Sequence, residues 1–332
     1  AALNALLEIQ EPNDKVIQTC QYLRYQLAAD ALLQDKMDET IKWANEVITQ
    51  ETKQSEYKTE AYYLCAQAYY RLHKYPQTIE QIDLFQQQAN ANQSLNLKTA
   101  NYLKAYALFN QKNYIAAYPL YRSYVSMLES DPTNPTYPDA LNRLGDCLFH
   151  ERKFKEASSI YKQVANLNSI GTDYALLQDG YAQGLMHKFA EKIDVLTTLI
   201  QQYPYSDYAD DALYEIARAE LQQEHHADAI KAYQQLLKNY PNSNRAVIAS
   251  LELGMTYRAI KQYDEAIQAF KTTIRTYTGS EEAYSALESL EQIYVETNNI
   301  DEYIAYTKTL TNLNMQSISN EDSLVYTTAE LQ

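Results

Sequence analysis

One arrangement of small, bulky and polar positions recurs along most of the chain. A small residue (Ala28, Ala66, Ala105, Gly145, Gly180, Ala217, Gly254) is followed nine positions later by a bulky one (Met37, Tyr75, Tyr114, Phe154, Phe189, His226, Tyr263). Three positions beyond the bulky residue a second small one is frequent, at Ala117, Ala157, Ala229 and Ala266, while Thr40, Thr78 and Lys192 depart from it. Seven beyond it stand Ile82, Tyr121, Tyr161, Leu196, Tyr233 and Phe270. Offsets of three and four residues are close to whole helical turns, so these last two positions share one face of a helix. The first small residue then belongs to a preceding helix, where its lack of bulk lets the second helix approach closely. The bulky residues are spaced by 38, 39, 40, 35, 37 and 37 residues. Self-similarity at that period marks stacked helical hairpins. The pattern predicts an all-α chain of paired helices, each about 14 to 17 residues or about 21–25 Å long.

The ends of the units repeat too. Tyr203-Pro-Tyr-Ser206, Tyr240-Pro-Asn-Ser243 and Tyr277-Thr-Gly-Ser280 are 37 residues apart. With Leu253-Gly254, Tyr263-Asp-Glu-Ala266 and Phe270 they make a pattern that resembles the tetratricopeptide-repeat (TPR) family over nearly the whole chain, most specifically in the last full repeats. The resemblance implies a right-handed α-solenoid of about eight TPR-like helix-turn-helix repeats. The expected boundaries are 13–52, 53–91, 92–131, 132–168, 169–205, 206–242, 243–279 and 280–315, the last one degenerate, with Glu291 in the small position. Residues 1–12 read as the end of a preceding repeat and 316–332 as the start of a following one. Neither end reads as a polar capping helix, so a piece of a longer bacterial protein is expected. Pro76 falls in a first turn, where proline is accepted. Pro119 falls inside a second helix and is expected to kink it or move its start. Three of the eight prolines lie in Asp131–Pro138, the expected place for a bend or break in the stack.

Composition narrows the chemistry. Gly and Pro number six and eight in 332 residues, too few for many tight hairpins or glycine-rich phosphate loops. A net charge of −15 argues against a nucleic-acid footprint and for a neutral or basic partner. No window is apolar enough to span a membrane. Cys20, Cys65 and Cys147 form no Cys-x-x-Cys pair and read as small core residues. Among His73, His150, His187, His225 and His226 there is no metal-ligand spacing, and no nucleophile motif or phosphate loop occurs. Gly180-Tyr-Ala-Gln-Gly184 reads as a helix-contact face. No catalytic residue, metal or cofactor is expected.

In the resembled family, first helices line the concave face, where ligands bind. Counted from each small residue, positions three before, one after and four after share a first-helix face. The polar and aromatic residues there are Tyr25, Tyr63, Gln67, Tyr70, Tyr102, Tyr106, Asn142, Asp146, Tyr181, Tyr214 and Arg218. Two readings of the rings stand open: they fill space between successive first helices, or they line a groove for a peptide or protein, since tyrosine offers large contact area at small rotamer cost. The family's basic carboxylate clamp is missing, with Tyr63, Gln67, Tyr102 and Tyr106 in its place. The Tyr-Pro-x-Ser endings resemble repeats of bacterial cell-envelope proteins, such as the outer-membrane assembly lipoprotein and the Tol-Pal coordinator, which implies a periplasmic or envelope location. Two other classes remain: a glycan-binding component of an outer-membrane uptake system, for which the single Trp43 is meagre, and an α/α-toroid glycoside hydrolase.

Overall fold

In a computed structural model, residues 2–50 and 56–310 are described; the expected start of a further repeat at 316–332 lies outside them. The described residues form helices and connecting turns, with no strand. The chain divides into two compact units, Ala1–Ile170 and Gly171–Gln332. In the first, α1 (Ala2–Leu7) packs on α2 (Asp14–Leu33), and helix pairs follow: α2 with α3 (Met37–Thr49), α4 (Glu56–Arg71) with α5 (Tyr75–Gln86), α6 (Leu97–Asn110) with α7 (Tyr114–Leu128), α8 (Tyr137–His150) with α9 (Phe154–Leu167). In the second, the pairs are α10 (Thr172–Leu185) with α11 (Phe189–Gln202), α12 (Ala209–Gln222) with α13 (His226–Asn239), α14 (Ala246–Ala259) with α15 (Tyr263–Thr276), and α16 (Glu281–Glu296) with α17 (Ile300–Thr309).

The two helices of a pair are built differently. Second helices bury a narrow stripe at i, i+4, i+7, as in Ala157/Tyr161/Val164, Ala229/Tyr233/Leu236 and Ala266/Phe270/Thr273. First helices bury more of their circumference; α8 buries Leu141, Leu144, Gly145 and Leu148 together with Asn142 and Asp146. They also meet the first helices of neighbouring pairs, α2 with α4, α4 with α6 and α14 with α16. In three pairs the small position is a glycine that lies against the residue sixteen further on. A Cβ added at Gly145 would come within 2.6 Å of the Tyr161 ring, at Gly254 within 2.6 Å of the Phe270 ring, and at Gly180 within 2.5 Å of Leu196. Gly180 thus serves a helix contact, as its spacing to Gly184 predicts.

Glycine scarcity has a structural counterpart in the turns. Within every pair the residue two before the bulky position adopts a left-handed backbone, and none of the eight is glycine: Asp35, His73, Lys112, Arg152, His187, Glu224, Lys261 and Asn298, with φ between 56° and 62°. Each closes its first helix with a six-to-one bond, such as Lys36 N to Ala31 O at 2.9 Å or Gln262 N to Tyr257 O at 3.0 Å. Side chains with a Cβ hold this conformation at a cost of about 1–2 kcal/mol. Lys261→Gly is therefore expected to raise stability by about 1 kcal/mol, partly offset by the freer unfolded chain; a chemical denaturation curve with an unmoved or lowered midpoint would contradict this.

For two of the proline expectations the structure removes one of the alternatives. Helix α7 runs through Pro119 and starts at Tyr114, so its start is not shifted. The carbonyl that loses its donor belongs to Ile115, a residue 76% exposed and open to water. Nor does Asp131–Pro138 break the stack, since α7 and α8 pack together. The turn closes on itself: Thr136 N donates to Asn134 Oδ1 at 3.1 Å, and the Tyr124 and Thr136 hydroxyls bond at 2.9 Å. The division into units falls instead between Ile170 and Gly171, where Asn168 and Gly171 carry positive φ.

Candidate functional site

In the first unit, the first helices α4, α6 and α8 bring Tyr70, Tyr102, Tyr106, Asn142 and Asp146 into one region. The Tyr70 ring meets the edge of Tyr106 at 6.2 Å, and Tyr102 meets Tyr106 at 5.1 Å and 86°. From α7, Tyr124 stacks on Tyr102 at 4.3 Å and Tyr121 stands edge-on to Tyr106 at 5.6 Å. Both the Tyr102 and the Tyr106 hydroxyls donate to Asp139 Oδ2. Arg143 Nε lies 3.6 Å from Asp139 Oδ1, and its Nη1 donates to Asp146 Oδ2 at 2.6 Å. Tyr161 donates to Asp146 Oδ1 at 2.8 Å. Arg143 also lies over the Phe109 ring, 5.5 Å from its centre. Burial, with Tyr106 and Asp139 nearby, pushes the Tyr102 hydroxyl well above its ordinary pKa; burial and Asp139 do the same for Tyr106.

The other first-unit candidates stand apart. Tyr63 is 8% exposed and packs on Phe85 at 6.1 Å in a core with Ile82 and Ala66. Its side chain belongs to the interior. Asn142 and Asp146 are buried as well, at 3% and 4% exposure. Gln67 is half-buried on α4. Tyr25, half-buried on α2, meets Tyr57 of α4 at 5.6 Å.

In the second unit, Tyr214 is 6% exposed and donates to Glu252 Oε1 at 3.1 Å, while Tyr233 donates to the other oxygen of the same carboxylate. Arg218 is exposed on α12 with its guanidinium 5.8 Å from the centre of the Tyr214 ring, and Arg245 lies 5.2 Å from the same ring. Tyr181 is half-buried near Arg245, which is itself paired with Asp211. Burial pushes the Tyr181 and Tyr214 hydroxyls up to about 12, with Asp211 adding to the first and Glu252 to the second. These raised values mean that the folded state holds protons the unfolded state releases near pH 10. Their contribution to stability is complete below pH 10 and lost as pH rises toward 12. A spectrophotometric titration should show a class of tyrosines ionising only above the ordinary range or on unfolding; simple titration of all of them near pH 10 in folded protein would contradict this.

Several residues that build these clusters are not on the expected face. Asp139, Arg143, Tyr121, Glu252 and Arg245 are each as central as the tyrosines. The first-turn acids carried a signal, because carboxylates recur at Asp139, Asp173 and Asp210 near the starts of α8, α10 and α12. Two of them accept from the serine that ends the repeat, Asp173 from Ser206 at 2.6 Å and Asp210 from Ser243. Asp139 instead takes two tyrosines. Cys65 and Cys147 are fully buried, and burial pushes both thiols up to about 12, while Cys20 is buried at 5% exposure. Trp43 lies on the second helix α3, packed against the core and below Lys42 at 5.0 Å, away from the first-helix face. Among the described residues no group of three or more His, Cys, Asp or Glu could hold a metal ion, and no helix is long and apolar enough to cross a membrane.

A family model described as tetratricopeptide repeat matches residues 214–281. The chain also resembles the C-terminal part of a TPR repeat-containing protein from Cytophaga hutchinsonii, at 15% identity and a TM-score of 0.64, covering 79% of this chain and 99% of that one. The apo form of RapI is similar at 10% identity and a TM-score of 0.61, covering 92% of this chain and 88% of that one. These findings support the TPR family. No curated protein matches. The fold is the paired-helix repeat fold of those structures.

Proposed function

We propose that the protein is a non-catalytic scaffold that binds a peptide or protein partner along its first helices. The observation that supports this is the uneven treatment of tyrosine. Rings at the repeat's own second-helix position, such as Tyr121, Tyr161 and Tyr233, are 0% exposed, whereas Tyr25, Tyr70, Tyr102, Tyr106 and Tyr181 on first helices remain half-buried. Half-open aromatic rings with hydroxyls or neighbouring charges are what interface hot spots use. Tyr63, Asn142, Asp146 and Tyr214 are buried and serve as support, so the contact residues of this reading are Tyr25, Gln67, Tyr70, Tyr102, Tyr106, Tyr181 and Arg218. The net charge of −15 favours a partner other than nucleic acid. A photo-crosslinking side chain placed at Gln67, Tyr70 or Arg218 should capture a protein partner in the native cell, and one at the exposed second-helix residues Lys155 or Lys231 should not. Equal capture from both sets, or capture from second helices alone, overturns the reading. A bacterial envelope location is part of the proposal, supported by the three repeat endings that resemble envelope proteins; cell fractionation tests it.

A further inference from the structure

We infer that α14 and α16 of the second unit take an aromatic side chain of a protein partner, with a carboxylate beside it in the partner's sequence held by Lys261. This rests on the peptide-binding reading of the first helices and names a residue pair that they take. Counted from Gly254, Met255 and Arg258 fall one and four positions after the small residue, on the first-helix face. Beside them an open-sided cavity of about 400 Å³ lies between α14 and α16, with Met255, Ala259 and Tyr263 as its apolar lining. Met255 is 44% exposed, and its flexible thioether adapts to what it meets. The repeat shows what such a place accepts. In three pairs the residue five before the bulky position lays a ring against the bulky ring: Tyr70 on Tyr75 at 5.8 Å, Phe109 on Tyr114 at 5.2 Å, and Phe149 on Phe154 at 5.3 Å. Five before Tyr263 stands Arg258 instead. Its guanidinium turns to α16, donating to Gln292 Oε1 at 2.6 Å and pairing with Glu296 at 2.5 Å. Tyr263 packs against the core cluster of the last two pairs, and no second ring meets it among the described residues. A ring from a partner fits the space and restores the pairing.

Two polar groups at the cavity are unengaged. Ser289 is 8% exposed, and its hydroxyl, on the cavity wall, has no hydrogen-bond partner among the described residues. Leaving such a group unpaired is costly, and the backbone carbonyl of a bound segment can accept from it. Lys261, exposed at the turn, forms no ion pair among the described residues, even with Asp264 and Glu265 in the helix turn that follows. Because Arg258 and Glu296 neutralise each other, the lining keeps one positive charge in a chain whose net charge is −15. The local charge is therefore opposite to that of the whole protein, and a carboxylate complements it. An open-sided cavity lacks the enclosure that holds a free small molecule, so it suits one anchor within a longer contact.

The test uses the full chain with methyl-labelled methionines and ring-labelled tyrosines followed by NMR, and three alanine-based peptides with Phe-Asp, Ala-Asp or Phe-Asn at their centre. The Phe-Asp peptide should shift the Met255 methyl and Tyr263 ring resonances. The Ala-Asp peptide should not, and the Phe-Asn peptide should bind about threefold more weakly. Lys261→Gln should remove the preference for Asp over Asn. Ala259→Phe, at an exposed position, should abolish the shifts by filling the cavity. Unmoved Met255 and Tyr263 resonances, equal binding of the Ala-Asp peptide, a parent protein that treats Asp and Asn alike, or full binding by Ala259→Phe overturns the inference. Shifts confined to Tyr70, Tyr106 or Tyr181 overturn it while leaving the peptide-binding reading in place. Phenylacetate, which carries a ring and a carboxylate in one small molecule, overturns the assignment to a protein partner if it binds as tightly as the Phe-Asp peptide.

Discussion

Phe270→Ala is expected to destabilise the second unit by about 3–5 kcal/mol, and Gly254→Ala by about 1–3 kcal/mol, with the double substitution costing clearly less than the sum. Phe270 is 0% exposed and its ring lies edge-on to the bare Cα of Gly254, so a methyl group there would stand 2.6 Å from Cε1. Truncating the ring opens a cavity in the core cluster that also holds Ala283, Leu287 and Leu290. Adding a methyl to Gly254 forces the ring outward. In the double variant the new methyl occupies part of the space that the ring vacates. Urea denaturation of the four proteins gives the coupling directly. Strict additivity would mean that the two positions do not share the contact on which the helix pair closes.

Glu215→Ala is expected to cost about 3 kcal/mol or more, a loss that Lys192→Ala in the same chain should largely reverse. Lys192 occupies the position where the neighbouring repeats have Ala157, Ala229 and Ala266, and its side chain is 9% exposed. It extends past Gly184, where an added Cβ would sit 3.1 Å from Cδ, to pair with Glu215, 14% exposed on α12. Removing the carboxylate leaves an ammonium group buried without its counter-charge, the costly half of breaking a buried pair. Removing both charges returns the position to the alanine of the other repeats, and a buried ion pair exchanged for small apolar groups is close to neutral. Denaturation midpoints of the two singles and the double decide this; a Glu215→Ala midpoint equal to that of the parent would show that the pair contributes nothing.

These two cases mark where repeat reasoning reaches and where it stops. The size rule was legible at Gly254 and Phe270, because both positions recur and their complementarity is visible as small against large. Lys192 was legible only as a departure. Nothing at position 192 names Glu215, which lies 23 residues away on the next first helix. The candidate face shows the same limit. Counting turns placed Tyr63 and Tyr70 together, yet Tyr63 is 8% exposed inside the core and Tyr70 half-buried at its edge. Seven residues is close to two turns but leaves the two side chains about 20° apart around the helix, and a first helix with neighbours on several sides buries one and leaves the other open.

The periodic spacing of small and bulky residues by itself determined that this chain is all-helical, that its helices come in pairs, and where each pair closes. Those features depend on contacts between residues at fixed separations, and a repeat writes fixed separations into the sequence. The tertiary structure alone decided that non-glycine residues adopt the left-handed turn in all eight pairs. It alone assigned Asp139 to Tyr102 and Tyr106 and Glu252 to Tyr214 and Tyr233. Such pairings join side chains from different helices and vary from one repeat to the next. Their geometry is set by how neighbouring helices pack, which the periodicity of a single repeat does not encode.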